Sequence, residues 1–293
     1  MRPSKTDRDL VPAGFYLYIY FAYEEGSGDL GMDSYKRNKL AGRLDDDLGI
    51  SLHKMIAITG GGGKTSLMYA LGRHFSQKEK TVITTTAKIF VPPVCEFPEL
   101  YTGPPEGCIE TAEKMDCCTL LVAAKEQNMD KLTGYTDFEI DKISKSTAIG
   151  KLISEADGSR GLSLKGYEDW EPPVPRLAAC QIIVLGADAF TLPMSPSSVF
   201  RLENLKRDFG VQEGKILSAG KAADIVSSRS GYLKNSPENA YRILFINKFE
   251  LLAESARRHV LDKFISGLKG YDTIVAASLN MDTVYEITKL DRE

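Results

Sequence analysis

Four consecutive glycines followed by a lysine and a threonine form the most specific chemical signal in the sequence. The apolar segment Met55–Thr59 precedes them, and a helix-like stretch follows. Glycines let backbone N–H groups converge on an anion, a helix N-terminus adds its dipole, and lysine adds a point charge. The pattern predicts a phosphate-binding loop in which Thr65 contacts a bridging Mg²⁺. The predicted loop residues are Gly60, Gly61, Gly62, Gly63, Lys64 and Thr65.

This loop is shorter than the usual G-x-x-x-x-G-K-[ST] pattern. The first glycine of that pattern would fall on Ile58, and the sequence instead reads G-x-x-G-K-T from Gly60 to Thr65. The short form still favours phosphate binding, but it leaves both the nucleotide and the reaction class open. The alternative is a flexible glycine turn between a strand and a helix.

Two carboxylates follow the apolar segment that begins at Leu152. Glu155 and Asp157 are two residues apart, which would place them on the same side of a strand. We predict that Asp157 binds Mg²⁺ and that Glu155 orients water or supports the metal shell. Arg160 and Lys165 then neutralise phosphate charge. The alternative is an ordinary Asp-Gly turn after a strand.

Polar residues also follow two other predicted strands. Thr86 comes directly after Thr81–Thr85, and its hydroxyl could order a phosphate, a metal or an attacking water. The alternative is that threonine is simply common in strands. Asp188 ends another apolar run, and either a metal contact or a cap on the next loop would explain it.

The segment around Asn247 is similar to the Asn-Lys-x-Asp motif with which GTP-binding proteins recognise guanine. Here Asn247 and Lys248 are followed by Glu250, one methylene longer than aspartate. The segment Ala276-Ala-Ser278, at the last predicted strand, lies where such proteins supply a backbone contact to the guanine oxygen. The alternative is a strand followed by a capped helix.

From Lys54 onward, short apolar strands alternate with helical patterns, which is typical of an α/β parallel sheet. We predict a three-layer P-loop NTPase-like fold with a mostly parallel sheet in residues 32–293, and a poorly structured extension in residues 1–31. Residues before about 50 differ in composition and include a polar segment that reaches Asp47. The Pro- and Gly-rich segment 91–107 is predicted to be a loop. Predicted strands are Met55–Thr59, Thr81–Thr85, Thr119–Ala124, Ile149–Ser154, Gln181–Leu185, Arg242–Ile246 and Thr273–Ala277, and predicted helices are Lys64–Gln77, Asp137–Lys145, Ser218–Ser227 and Leu251–Leu268.

Composition limits the partners and the compartment. The net charge of −3 does not favour a nucleic-acid partner, and Phe15–Tyr23 is too short to span a membrane, so we expect a cytoplasmic protein. Five cysteines without framework spacing indicate reduced thiols, and the absence of C-x-x-C argues against zinc. Cys117 and Cys118 head an apolar run, where we interpret them as small buried residues; a redox or chalcogen-handling pair is the alternative.

Several motifs together give a more specific signal than any one of them. They are Gly60–Thr65 with Leu67–Leu71, Thr84–Ile89, Lys131–Gly134, Glu155–Gly161 with Leu164-Lys165, Glu171–Pro175 and Asn247-Lys248. In this order the chain resembles the YqeC-type selenium-dependent hydroxylase accessory proteins, over roughly residues 32–293. The resemblance implies a nucleotide-binding protein that serves maturation of selenium-dependent molybdenum hydroxylases. Glu250 and Trp170 depart from it, since the family usually has aspartate and often histidine there.

These observations predict Mg²⁺-dependent binding and slow hydrolysis of ATP or GTP, coupled to maturation of a molybdenum hydroxylase or its cofactor. One alternative is a small-molecule kinase or nucleotidyltransferase with an acceptor pocket near Arg160, Lys165 and Arg201. Another is a nucleotide-gated scaffold for an apo-hydroxylase, in which nucleotide orders the Asp157–Gly161 turn. The short loop also resembles that of the Mur ligases, but this chain is too short for their additional domains.

Overall fold

The computed structural model describes residues 39–92 and 99–291. The chain divides into two units, Met1–Arg37 and Asn38–Glu293. The first unit, with the predicted extension 1–31 and the segment Phe15–Tyr23, lies outside the described residues. The prediction for that extension stays a prediction, and the description below concerns the second unit. Within the described ranges, no helix combines the length and the apolar character needed to cross a membrane.

A nine-stranded sheet forms the centre of this unit. The strands of the described chain are β1 Met55–Gly60, β2 Thr81–Thr85, β3 Lys88–Phe90, β4 Glu99–Thr102, β5 Leu120–Ala124, β6 Glu126–Asn128, β7 Lys131–Thr133, β8 Lys151–Glu155, β9 Leu164–Lys165, β10 Cys180–Gly186, β11 Val199–Phe200, β12 Tyr241–Asn247, β13 Thr273–Ser278 and β14 Thr283–Lys289. The central order is β14-β13-β12-β10-β1-β8-β2-β5-β4, and all neighbours are parallel except β13 and β14. The carboxyl ends of β1, β8, β2, β10 and β12 therefore meet at one edge.

Helices cover both faces of the sheet. They are α1 Lys39–Leu48, α2 Lys64–Phe75, α3 Pro105–Lys114, α4 Asp137–Ser144, α5 Leu202–Phe209, α6 Ala219–Ser227 and α7 Glu254–Gly267. Alternate side chains of β1 point to opposite faces: Ile56 and Ile58 pack in the core with α1 and α2, whereas Met55 and Ala57 pack in the core with α3 and α4. A third core lies under α6 and α7. The predicted three-layer fold with a mostly parallel sheet is confirmed.

Each predicted strand and helix is present, with ends shifted by a few residues. The predicted loop 91–107 is wrong in part, because it contains β4 and the start of α3. Pro105 occupies the first turn of α3, where its missing N–H costs nothing and its fixed φ suits the helix. Proline at this position therefore marked a helix start as well as the end of a loop.

The two adjacent cysteines are not buried, so our interpretation of them as core residues is wrong. Cys117 and Cys118 are both exposed in the turn that precedes β5, with their Sγ atoms 3.5 Å apart. The apolar run itself begins only at Leu120, where every residue of the strand is buried. Cys108 and Cys180 are the buried thiols of the described chain, and burial raises the pKa of each to about 12.

Helix α1 is an element that the sequence patterns do not predict. Its apolar residues Leu40, Ala41 and Leu44 are buried, but a run of three aspartates follows them and makes the segment look polar. The Asp282 carboxylate accepts hydrogen bonds from the Lys39 and Leu40 amides at 3.0 Å each and so closes the helix N-terminus. The helix is thereby tied to the turn between β13 and β14.

Asp45 anchors the other end of α1 to α2. Its carboxylate pairs with the His74 ring at 3.1 Å, with the Lys78 ammonium at 3.2 Å and with the Ser51 amide at 2.9 Å. Burial raises the pKa of Asp45, but these hydrogen bonds outweigh burial and hold that pKa well below its ordinary value of 3.8.

The Asp45→Asn variant should lower the free energy of unfolding near pH 7 by about 1–3 kcal/mol, because the amide is a weaker partner than the carboxylate for the Lys78 ammonium group. The carboxyl pKa is depressed in the folded state, so the wild-type advantage is present above pH 3.8 and shrinks as the pH falls below it. Urea unfolding of both proteins near pH 7 and near pH 3 measures this. Asp46→Asn, at the exposed neighbouring position, is the control. A difference that is undiminished near pH 3 would contradict the assignment.

Candidate functional site

The glycine loop lies at the carboxyl end of β1, where three of its residues have backbone angles that favour glycine. The φ angles are +94° at Gly60, +88° at Gly62 and +127° at Gly63. A Cβ at Gly60 would overlap the Val184 carbonyl oxygen, and one at Gly63 would overlap the Asn247 amide. The glycines are thus required by conformation and by the close approach of β10 and β12. Helix α2 begins directly after them, at Lys64.

Lys64 is buried beneath the loop and faces two carboxylates. Its Nζ donates to the Gly60 carbonyl at 2.8 Å and lies 3.1 Å from Asp157 Oδ1 and 3.6 Å from Glu155 Oε1. Thr65 Oγ1 donates to Glu155 Oε2 at 2.6 Å. The predicted loop residues and both predicted carboxylates therefore meet at one point.

The sheet register explains why Glu155 lies there. Strand β8 is the direct neighbour of β1, and Glu155 stands opposite Ile58 near the carboxyl ends of both strands. The carboxylate is consequently close to the first turn of α2. Burial raises the pKa of Glu155, whereas the Lys64 ammonium and the Thr65 hydroxyl oppose that rise.

Asp157 reaches the same lysine by a different route from the one we predicted. We expected it to share a strand face with Glu155, but β8 ends at Glu155 and Asp157 has a left-handed φ of +83°. The chain turns after the strand, and this turn brings Asp157 back toward Lys64. A non-glycine residue in this conformation costs of order 1 kcal/mol or more.

Lys165 holds the other oxygen of Asp157. Its Nζ lies 3.2 Å from Asp157 Oδ2, donates to the Gly158 carbonyl at 2.8 Å and stands 4.4 Å from the Tyr167 ring centroid. Both charged side chains are 0% exposed. Burial lowers the pKa of Lys165 to about 8, and the Asp157 carboxylate offsets part of that effect. We expected Lys165 to neutralise phosphate directly, whereas its ion pairs are with Asp157 and Glu171.

The other predicted residues lie at different distances from this cluster. Arg160 is exposed, and its guanidinium lies 5.3 Å from the centroid of the Phe200 ring rather than beside Lys64. Thr86 is adjacent to the carboxylates: its Oγ1 accepts from the Asp157 amide at 3.3 Å, and its own amide donates to the Glu155 carbonyl. Asp188 pairs with Lys248 at 2.9 Å.

The predicted base-recognition segment is attached to the glycine loop. Asn247 Nδ2 donates to the Gly62 carbonyl at 2.7 Å, while its Oδ1 accepts from the Leu279 amide at 3.0 Å. One amide thus joins the loop, the end of β12 and the turn after β13. Lys248 and Glu250 follow it; one Glu250 carboxylate oxygen is buried and has no hydrogen-bond partner.

Sequence patterns did not single out Ser163 or Glu171 as site residues. Ser163 Oγ accepts from Lys248 Nζ at 2.8 Å, and Glu171 contacts Lys165 at 3.6 Å. No spacing rule predicts either contact, because Ser163 and Glu171 lie outside the predicted strands and helices. Glu171 does belong to one of the motifs quoted above, which was the available signal.

Comparison with known proteins supplies the family. The family model described as YqeC protein matches residues 56–203, about half of the chain. The chain belongs to the YqeC family. The protein of Escherichia coli (strain K12) named uncharacterized protein YqeC is 27% identical over 195 residues, which are 67% of this chain and 76% of that protein. No solved structure matches the chain. The YqeC match includes the glycine loop and both carboxylates, and Asn247 lies beyond it.

Asn247→Asp should lower the free energy of unfolding by about 1–3 kcal/mol, because the carboxylate keeps the Leu279 contact but faces the Gly62 carbonyl without a proton to donate. Thermal unfolding followed by circular dichroism measures this. The same substitution at the exposed Asn128 should be nearly neutral. Equal effects at the two positions would show that Asn247 does not tie the loop to the sheet.

Proposed function

We propose that this YqeC family member binds a nucleoside triphosphate with Mg²⁺ and hydrolyses it slowly. The observation that carries the proposal is the position of Lys64, at the start of α2 and beneath three glycines with positive φ. The free N–H groups of the first helical turn, the helix dipole and one ammonium group then act on the same anion. The few kcal/mol that such groups contribute to a developing phosphate charge are sufficient for catalysis.

The residues beside the loop fit Mg²⁺. Hard divalent cations prefer oxygen ligands, and the Thr65 hydroxyl is hydrogen-bonded to Glu155 at 2.6 Å. Both oxygens of Asp157 are buried without a hydrogen bond of good geometry, although each lies near a lysine. Thr65, Glu155 and Asp157 would hold the metal, directly or through water. Bound there, Mg²⁺ would neutralise charge on the phosphates.

This metal site would be incomplete without the nucleotide. In the described ranges, no cluster of three or more His, Cys, Asp or Glu residues could hold a metal ion. Phosphate oxygens would therefore supply remaining ligands, so that Mg²⁺ and nucleotide bind together. Glu155 and Thr86 would orient a water toward the phosphate, since both adjoin the end of β8.

Between ATP and GTP, the end of β12 favours guanine. Asn247 fixes this segment against the glycine loop, as base recognition beside a phosphate site requires. Glu250 carries a buried carboxylate oxygen that lacks a hydrogen-bond partner, and guanine N1–H and N2–H are suitable donors for it.

The cellular role that we propose is maturation of a selenium-dependent molybdenum hydroxylase or its cofactor. Its support is the resemblance carried by the motifs from Gly60 to Lys248, together with the family match. The partner would be the apo-hydroxylase or a protein that matures its cofactor, in the cytoplasm.

Lys64→Ala should lower the affinity for Mg²⁺-nucleotide and the hydrolysis rate by roughly 100-fold or more, because one charge donor is lost from the phosphate site. Its melting temperature should also fall, since Glu155 and Asp157 lose a buried counter-ion. Isothermal titration and phosphate release, with circular dichroism as the folding check, measure these effects. The exposed Lys263→Ala is the matched control. Wild-type turnover in a folded Lys64→Ala protein would remove the site assignment.

Glu250→Gln should weaken GTP binding by about tenfold and leave ATP binding unchanged, because the amide can no longer accept from both guanine donors. Titration of both proteins with each nucleotide in the presence of Mg²⁺ tests this. Selective ATP binding by the wild type would contradict guanine recognition and would favour the kinase or nucleotidyltransferase alternative.

A further inference from the structure

A row of charges of alternating sign connects the glycine loop to the protein surface. It begins at Lys64, whose ammonium lies 3.1 Å from Asp157, and continues from Asp157 to Lys165 at 3.2 Å. Lys165 in turn lies 3.6 Å from Glu171, whose Oε2 also accepts from the Arg201 guanidinium. We name Lys64, Asp157, Lys165, Glu171 and Arg201 the charge row. Each member contacts the next, and no two neighbours carry the same charge.

Exposure increases along the charge row. The Asp157 and Lys165 side chains are 0% exposed, Glu171 is 11% exposed and Arg201 is 25% exposed. Charges this deeply buried are stable only when each is paired, so the loss of one member leaves its neighbours uncompensated. Asp157 is thus connected through Lys165 to charged groups nearer the surface.

The small sheet of β9 and β11 explains how residues distant in sequence join this row. The strands pair in parallel, with Lys165 beside Phe200, and Arg201 follows at once with a left-handed φ of +55°. The Phe200 ring lies 5.6 Å from Lys165 Nζ and 4.9 Å from the Arg201 guanidinium carbon. Both cations thus lie within about 6 Å of the ring, which is a favourable arrangement.

We propose that Glu171 and Arg201 are positioning residues for the phosphate site and act on it through Lys165 and Asp157. The inference rests on the proposed nucleotide binding. A bound phosphate competes with Asp157 for Lys64, and a metal competes with both lysines for Asp157. Either event changes the strength of the ion pair between Lys165 and Asp157. The ion pairs of Glu171 with Lys165 and with Arg201 then change in turn.

The segment whose conformation responds to this coupling is the turn formed by residues 168–171. The Arg201 Nε lies 3.6 Å from Glu168 Oε1, so the same guanidinium contacts both ends of the turn. Trp170, the only tryptophan of the chain, is 71% exposed in this turn. Nucleotide binding and the conformation of this turn would then influence each other reciprocally.

The test compares Glu171→Gln, Arg201→Gln and the double variant by titration with Mg²⁺-GTP and Mg²⁺-ATP. Each single variant should lose at least about fivefold in nucleotide affinity. The double variant should lose no more affinity than whichever single variant binds nucleotide more weakly. Arg201→Lys, which keeps the charge, should recover part of the loss. An exposed ion pair elsewhere, Arg258 with Asp262, supplies matched control variants Arg258→Gln and Asp262→Asn.

Tryptophan fluorescence gives a readout that a merely structural role would not change. Saturating nucleotide should shift the Trp170 emission of the wild type, because the turn responds to the charge row. In Lys165→Met the emission should stay unchanged at saturation, since the row is interrupted. Circular dichroism identifies any variant that fails to fold, and Arg201→Lys then carries the comparison.

The outcomes separate this inference from the proposed function. A wild type that binds neither nucleotide would overturn both. A wild type that binds nucleotide, with equal affinity in the Glu171 and Arg201 variants, would overturn only the coupling. A Trp170 emission that ignores saturating nucleotide in the wild type would overturn it as well.

Discussion

A buried ammonium group and two buried carboxylates must compensate one another at the end of β1, and much of the structure serves that requirement. Lys64 is buried beneath the loop, and burial of its charge without counter-ions would cost several kcal/mol. Glu155 and Asp157 supply the negative charge. The direct adjacency of β1 and β8 places one carboxylate, and a left-handed turn places the other. The parallel sheet is the scaffold that makes these positions coincide.

The local parts of this arrangement were predictable from sequence. Glycines before Lys64 and Thr65 specify a loop whose conformation few other residues allow, and apolar runs bounded by polar residues specify β1, β8 and β12. A parallel sheet then brings the carboxyl ends together without further information. The position of Glu155 beside the loop follows from this rule, because Glu155 ends a strand that neighbours β1.

The remaining features depend on tertiary contacts that no local pattern encodes. The role of Lys165 follows from its complete burial against Asp157, and an isolated lysine after a glycine turn gives no sign of burial. Helix α1 was missed because half of its residues are charged, although Leu40 and Leu44 are in the core. The exposure of Cys117 and Cys118 depends on where β5 begins, and strand ends are difficult to place within a few residues.

The contact between α1 and the turn after β13 has a consequence for folding. Asp282 caps α1, and Arg43 donates to the Val284 carbonyl at 2.9 Å, so the earliest described helix and the last hairpin support each other. Neither can detach without exposing apolar surface on the other, and the two should open together as one cooperative unit in hydrogen exchange. The edge of the sheet beside the Asn247 segment is therefore held in place by residues that precede the glycine loop in the chain.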